Sequence, residues 1–117
     1  MNIYENIVIF DTSLSDEDAE GAATKIKEIV TGSGGEVLKV DIWGRRKLAY
    51  EIKKQKKGIY VLFLYKTPSE TIKKLEDFFR VFDVVIKYII IKLDSKQIRD
   101  LEKLKAVSEP AEQKTEG

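Results

Sequence analysis

The pattern of apolar and polar residues along the chain predicts four β-strands. Three runs are dominated by β-branched and aromatic residues, namely 3–10, 59–66 and 83–93. Such short runs, bounded by polar or glycine-containing turns, are typical of strands. Residues 36–54 form a longer alternating segment that is interrupted at Gly44, where we expect a bulge or bend. This segment and the strand after it should form a hairpin with a basic turn over residues 53–58.

Two segments have the three-and-four spacing of amphipathic helices. The first begins at Ser15, whose hydroxyl can cap the backbone N–H of Asp18, and it ends at the glycine-rich residues 32–35. The second is predicted to begin with Thr67 as its cap and Pro68 in the first helical position, and to extend to about residue 82. Each helix has one apolar stripe, so each should pack on the sheet through that stripe.

The resulting order, β-α-β-β-α-β, predicts an α+β fold of the ferredoxin-like, or split βαβ, type. In this fold a four-stranded antiparallel sheet carries both helices on one face. Right-handed crossovers place the first and third strands in the centre. The other face should be open, and we expect it to expose Tyr60, Leu62, Leu64 and Ile90. An apolar face of that size implies a partner, which is a second copy, an RNA or another protein.

With 117 residues and 13.4 kDa, the chain has room for one domain. We assign it to residues 1–94, and we treat residues 95–117 as a C-terminal tail. Ile98, Leu101 and Leu104 step by three and are able to form one short helix, whereas residues 108–117 are expected to be disordered.

The composition argues against catalysis, because the chain has neither cysteine nor histidine. Disulfides, thiolate metal sites and serine–histidine triads are therefore excluded. We predict no catalytic residues, no metal, no cofactor and no small-molecule substrate. The longest apolar runs are too short to span a membrane and the N-terminus does not resemble a signal peptide, so we expect no membrane association and a cytoplasmic location.

Charge is strongly polarised along the chain despite a net charge of only +1. Residues 36–66 hold nine Lys or Arg against three acids, whereas residues 1–35 hold two bases against seven acids. Cations set among Trp43, Tyr50 and Tyr60 suit a polyanion, because phosphates attract cations and aromatic rings accept bases. RNA is therefore the first candidate ligand. The alternative is that lysines simply form the solvent-facing side of a strand.

The fold alone does not decide the function, because it also occurs in RNA-recognition modules, metallochaperones, acylphosphatases and ligand-sensing domains. The run from Lys57 to Val61 matches the RNA-recognition motif only in its first two residues, and the CxxC of metallochaperones is absent. A ligand-sensing domain could use the glycine-rich residues 32–35, although such a run after a helix is usually just a cap.

The sequence resembles one family specifically. Residues 43–52 read WGRRKLAYEI and are followed by Lys57, Gly58 and Tyr60. This pattern is similar to the signature of the bacterial small-subunit ribosomal protein six family, and the similarity extends over residues 2–94. The resemblance implies a non-enzymatic protein that binds small-subunit ribosomal RNA together with ribosomal protein eighteen during assembly of the platform.

The candidate site residues follow from the cationic band and from this resemblance. The proposed RNA-binding residues are Arg45, Arg46, Lys47, Tyr50, Lys53, Lys54, Lys56 and Lys57. The proposed partner-binding residues are Trp43, Tyr60, Leu62 and Tyr88. Structural roles remain open, since Trp43 can serve as a hydrophobic plug at the strand bend and the lysines from 53 onward can form a solvated turn. The alternative function is a ligand-sensing or scaffold domain that dimerises through its open sheet face.

Overall fold

A computed structural model of the protein describes residues 1–100. Six elements follow in the predicted order: β1 (Asn2–Phe10), α1 (Asp16–Gly32), β2 (Glu36–Ile52), β3 (Gln55–Thr67), α2 (Glu70–Val81) and β4 (Val85–Lys92). A further helical turn covers residues 95–100. The predicted disorder of residues 108–117 and most of the predicted tail helix lie outside the described residues. Within the described part of the chain, no helix is long and apolar enough to cross a membrane.

The four strands form one antiparallel sheet in the order β2-β3-β1-β4, which confirms the ferredoxin-like fold and the central position of β1 and β3. Both helices pack on the same face through their apolar stripes. The core between them includes Val8 and Phe63 from the two central strands, Ile26 from α1 and Leu75 from α2, all fully buried. We call the helix-free side of the sheet the open face.

The beginning of α1 confirms its predicted cap, whereas the beginning of α2 does not. The backbone N–H of Asp18 donates to the Ser15 hydroxyl at 3.0 Å. The predicted cap of α2, Thr67, is instead the last residue of β3, where it pairs with Asn2 and is fully buried. Its hydroxyl donates to the hydroxyl of Thr71 at 2.8 Å. Strand pairing therefore holds Thr67 in the sheet, and the helix starts two residues later than predicted.

The β2-β3 hairpin is longer than the rest of the sheet. The predicted irregularity at Gly44 is confirmed by its positive φ of 83° and by a shift of register between Ile42 and Gly44. The predicted six-residue turn is wrong, because β3 already starts at Gln55 and only Lys53 and Lys54 connect the strands. Lys56 and Lys57 therefore lie on β3.

The end of this hairpin, residues 45–57, is called the arm. It bends over the open face, where Leu48 packs with Ile9 of β1 and Ile86 of β4. The arm thus reaches the opposite edge of the sheet from the one at which β2 lies. Gly58, at its base, packs against the side chain of Ile9 with no room for a larger residue. The fold therefore positions the most basic part of the sequence across one end of the open face.

Replacing Gly35 by alanine is expected to destabilise this fold by about 1–3 kcal/mol, the usual cost of overpacking. A Cβ atom there would lie 2.5 Å from the Thr67 hydroxyl and 2.8 Å from the backbone carbonyl oxygen of Lys66. The hydroxyl is held by Thr71 and the carbonyl belongs to a central strand, so neither moves freely. Chemical unfolding measures the loss in free energy of unfolding. As the control, Gly21→Ala in α1 has nothing within 4 Å and should stabilise by about 0.5–1 kcal/mol. Equal stability of the two variants would contradict this packing.

Candidate nucleic-acid interface and open face

The predicted RNA-binding residues all lie on the arm, and all of them are exposed. β2 carries Arg45, Arg46, Lys47 and Tyr50, the turn carries Lys53 and Lys54, and β3 carries Lys56 and Lys57. Because the turn is short and the two strands are paired, cations that are ten residues apart in the sequence face each other. Lys47, for example, pairs directly with Lys57. Like charges opposite one another are unfavourable in a sheet, so binding of a negatively charged ligand to the arm would relieve this repulsion.

Arg45 differs from the other cations, because an acidic residue of the N-terminal region already holds it. Its Nη1 donates to Asp16 Oδ1 at 2.8 Å and its Nη2 donates to the carbonyl oxygen of Leu14 at 2.8 Å. Both side chains are substantially exposed, at 45% for the arginine and 89% for the aspartate. A surface pair of this kind stabilises a protein by at most about 1 kcal/mol. Arg45 therefore fixes the base of the arm against α1, and its contribution to a free cationic surface is reduced.

Arg46 points to the other side of β2, where it lies over the ring of Trp43. Its guanidinium carbon lies 5.3 Å from the centre of the Trp43 ring, and that ring stacks on Tyr60 at 6.1 Å with an interplanar angle of 16°. The indole N–H of Trp43 donates to Asp41 Oδ2 at 3.0 Å. Within residues 1–100, Arg46 forms no ion pair. The half-buried Trp43 thus orients Arg46 while leaving its N–H groups available to a ligand.

Tyr50 connects the arm to β4. The Nζ of Lys87 donates to its hydroxyl at 2.7 Å and lies 5.2 Å from the centre of its ring. The Tyr50 side chain nevertheless remains 61% exposed. Sequence reasoning missed Lys87, because a single lysine in an alternating strand carries no signal of a contact with a residue so distant in the sequence.

The open face carries mostly apolar side chains, interrupted by Glu5 of β1 between Leu64 and Ile91. Its floor consists of alternate residues of the two central strands and β4, namely Ile7, Ile9, Leu62, Leu64, Ile89 and Ile91. Ile89 and Ile91 are 41% and 44% exposed, which is unusual for isoleucine on a strand. Trp43 and Tyr60 border this floor near the arm. Three of the four predicted partner-binding residues therefore lie together on the open face.

The fourth predicted partner-binding residue, Tyr88, does not lie on this face, and the prediction that Ile90 is exposed there is also wrong. Tyr88 pairs with Val8 and packs on Phe79 of α2, with ring centres 4.8 Å apart. Ile90 likewise packs on the core beneath the helices. Every residue of this strand between its two lysines is apolar or aromatic, so its alternation does not indicate which side faces the helices.

The helical turn over residues 95–100 limits the open face at the end away from the arm. Asp94 and Gln97 cap it reciprocally, with the backbone N–H of each donating to the side chain of the other at 2.9 and 2.8 Å. Gln97 and Asp100 border a shallow cleft together with Leu62, Leu64 and the charged residues Glu5 and Lys39 of the sheet. The apolar floor thus lies between the arm at one end and this turn at the other.

Outside the arm and the open face, the described residues offer few groups suited to metal binding or proton transfer. No three side chains that bind metals cluster in residues 1–100. Burial beneath the helices raises the pKa of Tyr65 strongly, so this phenol stays neutral and plays no part in an exposed site. The arm and the open face are therefore the surfaces to which a function is assigned.

Comparison with known proteins gives a consistent result. The family model described as Ribosomal protein S6 matches residues 3–92. The chain is similar to the small ribosomal subunit protein bS6 of Clostridium acetobutylicum, with 44% identity over 94 residues, 80% of this chain and 99% of that protein. It is also similar to the bS6 protein of Thermoanaerobacter pseudethanolicus, with 37% identity over 94 residues, 80% of this chain and 99% of that protein.

A solved structure shows the same fold. The crystal structure of 30S ribosomal protein S6 from Thermotoga maritima superimposes with a TM-score of 0.76 at 30% identity, and the alignment covers 92% of this chain and 96% of that one.

Proposed function

The chain belongs to the ribosomal protein S6 family, and on that basis we propose that it binds small-subunit ribosomal RNA through its arm, together with ribosomal protein eighteen. Family membership confirms the expected non-enzymatic role, because the relatives are ribosomal proteins of the small subunit. It also agrees with the expected cytoplasmic location, where small ribosomal subunits work.

The observation that carries the RNA assignment is the set of exposed cations on the arm. Apart from Arg45, these side chains form no ion pair within residues 1–100. Binding a phosphate to each one releases condensed counterions, which favours association and makes it depend on salt. The paired strands hold these charges in a row along the arm, and the contact between Lys87 and Tyr50 fixes the arm over the sheet. Backbone phosphates arranged along an RNA strand match such a row of point charges.

The open face supports the assignment of a protein partner. Exposed isoleucines on β4, together with Leu62 and the stacked Trp43 and Tyr60, form an apolar surface that the cationic arm borders at one end. Interfaces between proteins typically have such an apolar centre with aromatic residues and a polar rim. We assign ribosomal protein eighteen to the open face and RNA to the arm. Tyr88, which lies beneath the helices, has no part in this assignment.

The alternative of a ligand-sensing or scaffold domain has less support. The glycine-rich residues 32–35, which were its candidate loop, have structural roles. Gly34 has a positive φ of 83°, and Gly35 packs closely on Thr67. Homodimerisation through the open face would still bury the exposed isoleucines, and sedimentation of the purified chain at micromolar concentration measures it directly.

Measurement of RNA binding with and without the partner tests the proposal. The chain alone should bind a fragment of small-subunit ribosomal RNA weakly, with an affinity that falls steeply with salt. Addition of ribosomal protein eighteen should increase the affinity. Binding that is independent of salt, or no difference between small-subunit and unrelated RNA in the presence of the partner, would contradict it.

A further inference from the structure

A cleft of about 370 Å³ lies beside the arm and is not explained by the surfaces described so far. It opens between the C-terminal end of α2, the beginning of β4 and the turn of the arm. Its charged lining consists of Lys53, Arg80, Asp83 and Lys87, and its apolar lining of Phe79, Phe82, Val85, Ile86 and Tyr88. Among these residues, only Lys53 belongs to the RNA-binding set predicted from the sequence.

Three cations from three different elements border this cleft, against one carboxylate. Arg80 projects from α2 with a side chain 64% exposed, and its contact with Asp77 is long, at 3.6 Å. Lys87 uses one of its N–H groups for the Tyr50 hydroxyl and retains two donors. The excess of positive charge favours an anionic ligand.

The position of Lys53 shows how the arm contributes to the cleft. The two residues of the turn, Lys53 and Lys54, have φ values of 49° and 64°. Two-residue turns with positive φ at both positions normally use asparagine and glycine, because residues with larger side chains are strained there. Here two lysines occupy them, and Lys53 Nζ lies 3.5 Å from the carbonyl oxygen of Val85. The turn therefore places the ammonium group of Lys53 at the opening of the cleft.

The apolar lining indicates what kind of anion fits. Phe82 and Tyr88 are half-buried aromatic residues at the cleft, and Val85 and Ile86 line it further. A free phosphate would gain nothing from these side chains, whereas a nucleobase stacks on aromatic and apolar surfaces. The volume is near the lower end of the roughly 300–1,000 Å³ typical of small-molecule sites. It therefore suits one nucleotide and not a longer segment.

We propose that this cleft binds a single unpaired nucleotide of the RNA that the arm contacts. The base would lie against Phe82 and Tyr88, and its phosphate would be held by Arg80 and Lys53. The inference rests on the proposed function and deepens it, because it directs the RNA strand from the turn of the arm across to the end of α2. It also gives the protein a means of selecting an unpaired position in an otherwise charge-driven contact.

The test uses the full chain with ribosomal protein eighteen and a small-subunit ribosomal RNA fragment. Arg80→Gln should lower the affinity about tenfold, as expected for loss of a charge-assisted phosphate contact. Lys73→Gln is the matched control, since Lys73 is an exposed cation on the same helix that does not border the cleft. It should change the affinity less than about twofold, as one distant screened charge does.

Chemical probing of the RNA separates recognition of a nucleotide from a simple loss of charge. In the wild-type complex, one nucleotide should have altered 2′-hydroxyl reactivity, and both Arg80→Gln and Phe82→Leu should return that same nucleotide to its free reactivity. Circular dichroism establishes that both variants are folded. If wild-type protein binds and Arg80→Gln behaves like Lys73→Gln, or if no single nucleotide responds to both variants, the cleft proposal is overturned and the proposed function stands. If wild-type protein does not bind the RNA, both are overturned.

Discussion

Replacing Lys56 and Lys57 by glutamate should lower the affinity for small-subunit ribosomal RNA by at least about 100-fold. Both lysines are exposed on β3 and neither forms an ion pair within residues 1–100. Loss of a hydrogen bond to a charged group costs about 1.5–3 kcal/mol, which is tenfold or more for each residue. Reversal of the charge adds repulsion from the phosphates. The slope of log affinity against log salt should also become shallower by about one unit for each lysine.

A matched charge reversal on the opposite side of the molecule distinguishes this local effect from a change in net charge. Lys25 lies on α1 and Lys73 on α2, and both are exposed. The variant Lys25→Glu/Lys73→Glu has the same net charge as the arm variant, so it should retain most of the affinity and the steeper salt slope. Equal losses in the two double variants would mean that the arm is not the RNA-binding surface. Thermal unfolding of each variant shows that the fold is retained.

Replacing Ile89 by glutamate should lower the affinity for ribosomal protein eighteen by about 100-fold, because a carboxylate would then be desolvated in the middle of the interface. Ile89 is 41% exposed in the absence of a partner, so the free protein should lose little stability. Val81→Glu provides the control. Val81 lies on α2, is 78% exposed, and likewise exchanges a β-branched aliphatic side chain for a carboxylate. Titration calorimetry with purified partner measures both affinities.

The two outcomes that would contradict this assignment of the open face are distinct. Unchanged affinity of Ile89→Glu would remove the open face from the interface with the partner. An affinity lowered equally by Val81→Glu would show that the loss reflects the added negative charge and is not specific to the open face. RNA binding by Ile89→Glu in the absence of the partner should remain at the wild-type level, because the arm is unaltered.

Most of the fold could be predicted from the sequence, because local physical signals agree with the final structure. Period-two alternation and helical spacing gave the six elements in order. The Ser15 cap is a contact between residues three apart, and the bend at Gly44 arises from a break in a local pattern. The cap of α2 was predicted wrongly because strand pairing, which involves a distant part of the chain, holds Thr67 in β3.

The faces of β4 could not be predicted for a related reason. Its residues between Lys87 and Lys92 are all apolar or aromatic, so alternation cannot distinguish the covered face from the open one. The register of β4 on β1 also shifts between Ile9 and Phe10. The facing of each β4 residue therefore cannot be assigned by counting alternate positions from the preceding turn. The observed pairing of Val8 with Tyr88 and the packing of Tyr88 on Phe79 show that Tyr88 faces the helices.

The candidate site was predicted in its residues but not in its arrangement. Consecutive cations at positions 45 and 46 alternate in direction, so Arg45 reaches Asp16 beside α1 while Arg46 stacks on Trp43. Neither contact has a signature in the local sequence. The bending of the arm over the sheet brings Tyr50 to Lys87, a contact between residues 37 positions apart. Long-range packing therefore decides which of the predicted cations remain free.

The most direct measurement is capture of the tagged chain from cells at low magnesium concentration, where ribosomal subunits separate, followed by quantification of the bound RNA. Small-subunit ribosomal RNA should be strongly enriched over large-subunit RNA, ribosomal protein eighteen should be present, and the Lys56→Glu/Lys57→Glu variant should lose most of the RNA. Equal recovery of both ribosomal RNAs, or full retention of RNA by that variant, would contradict an RNA-binding role for the exposed lysines of the hairpin.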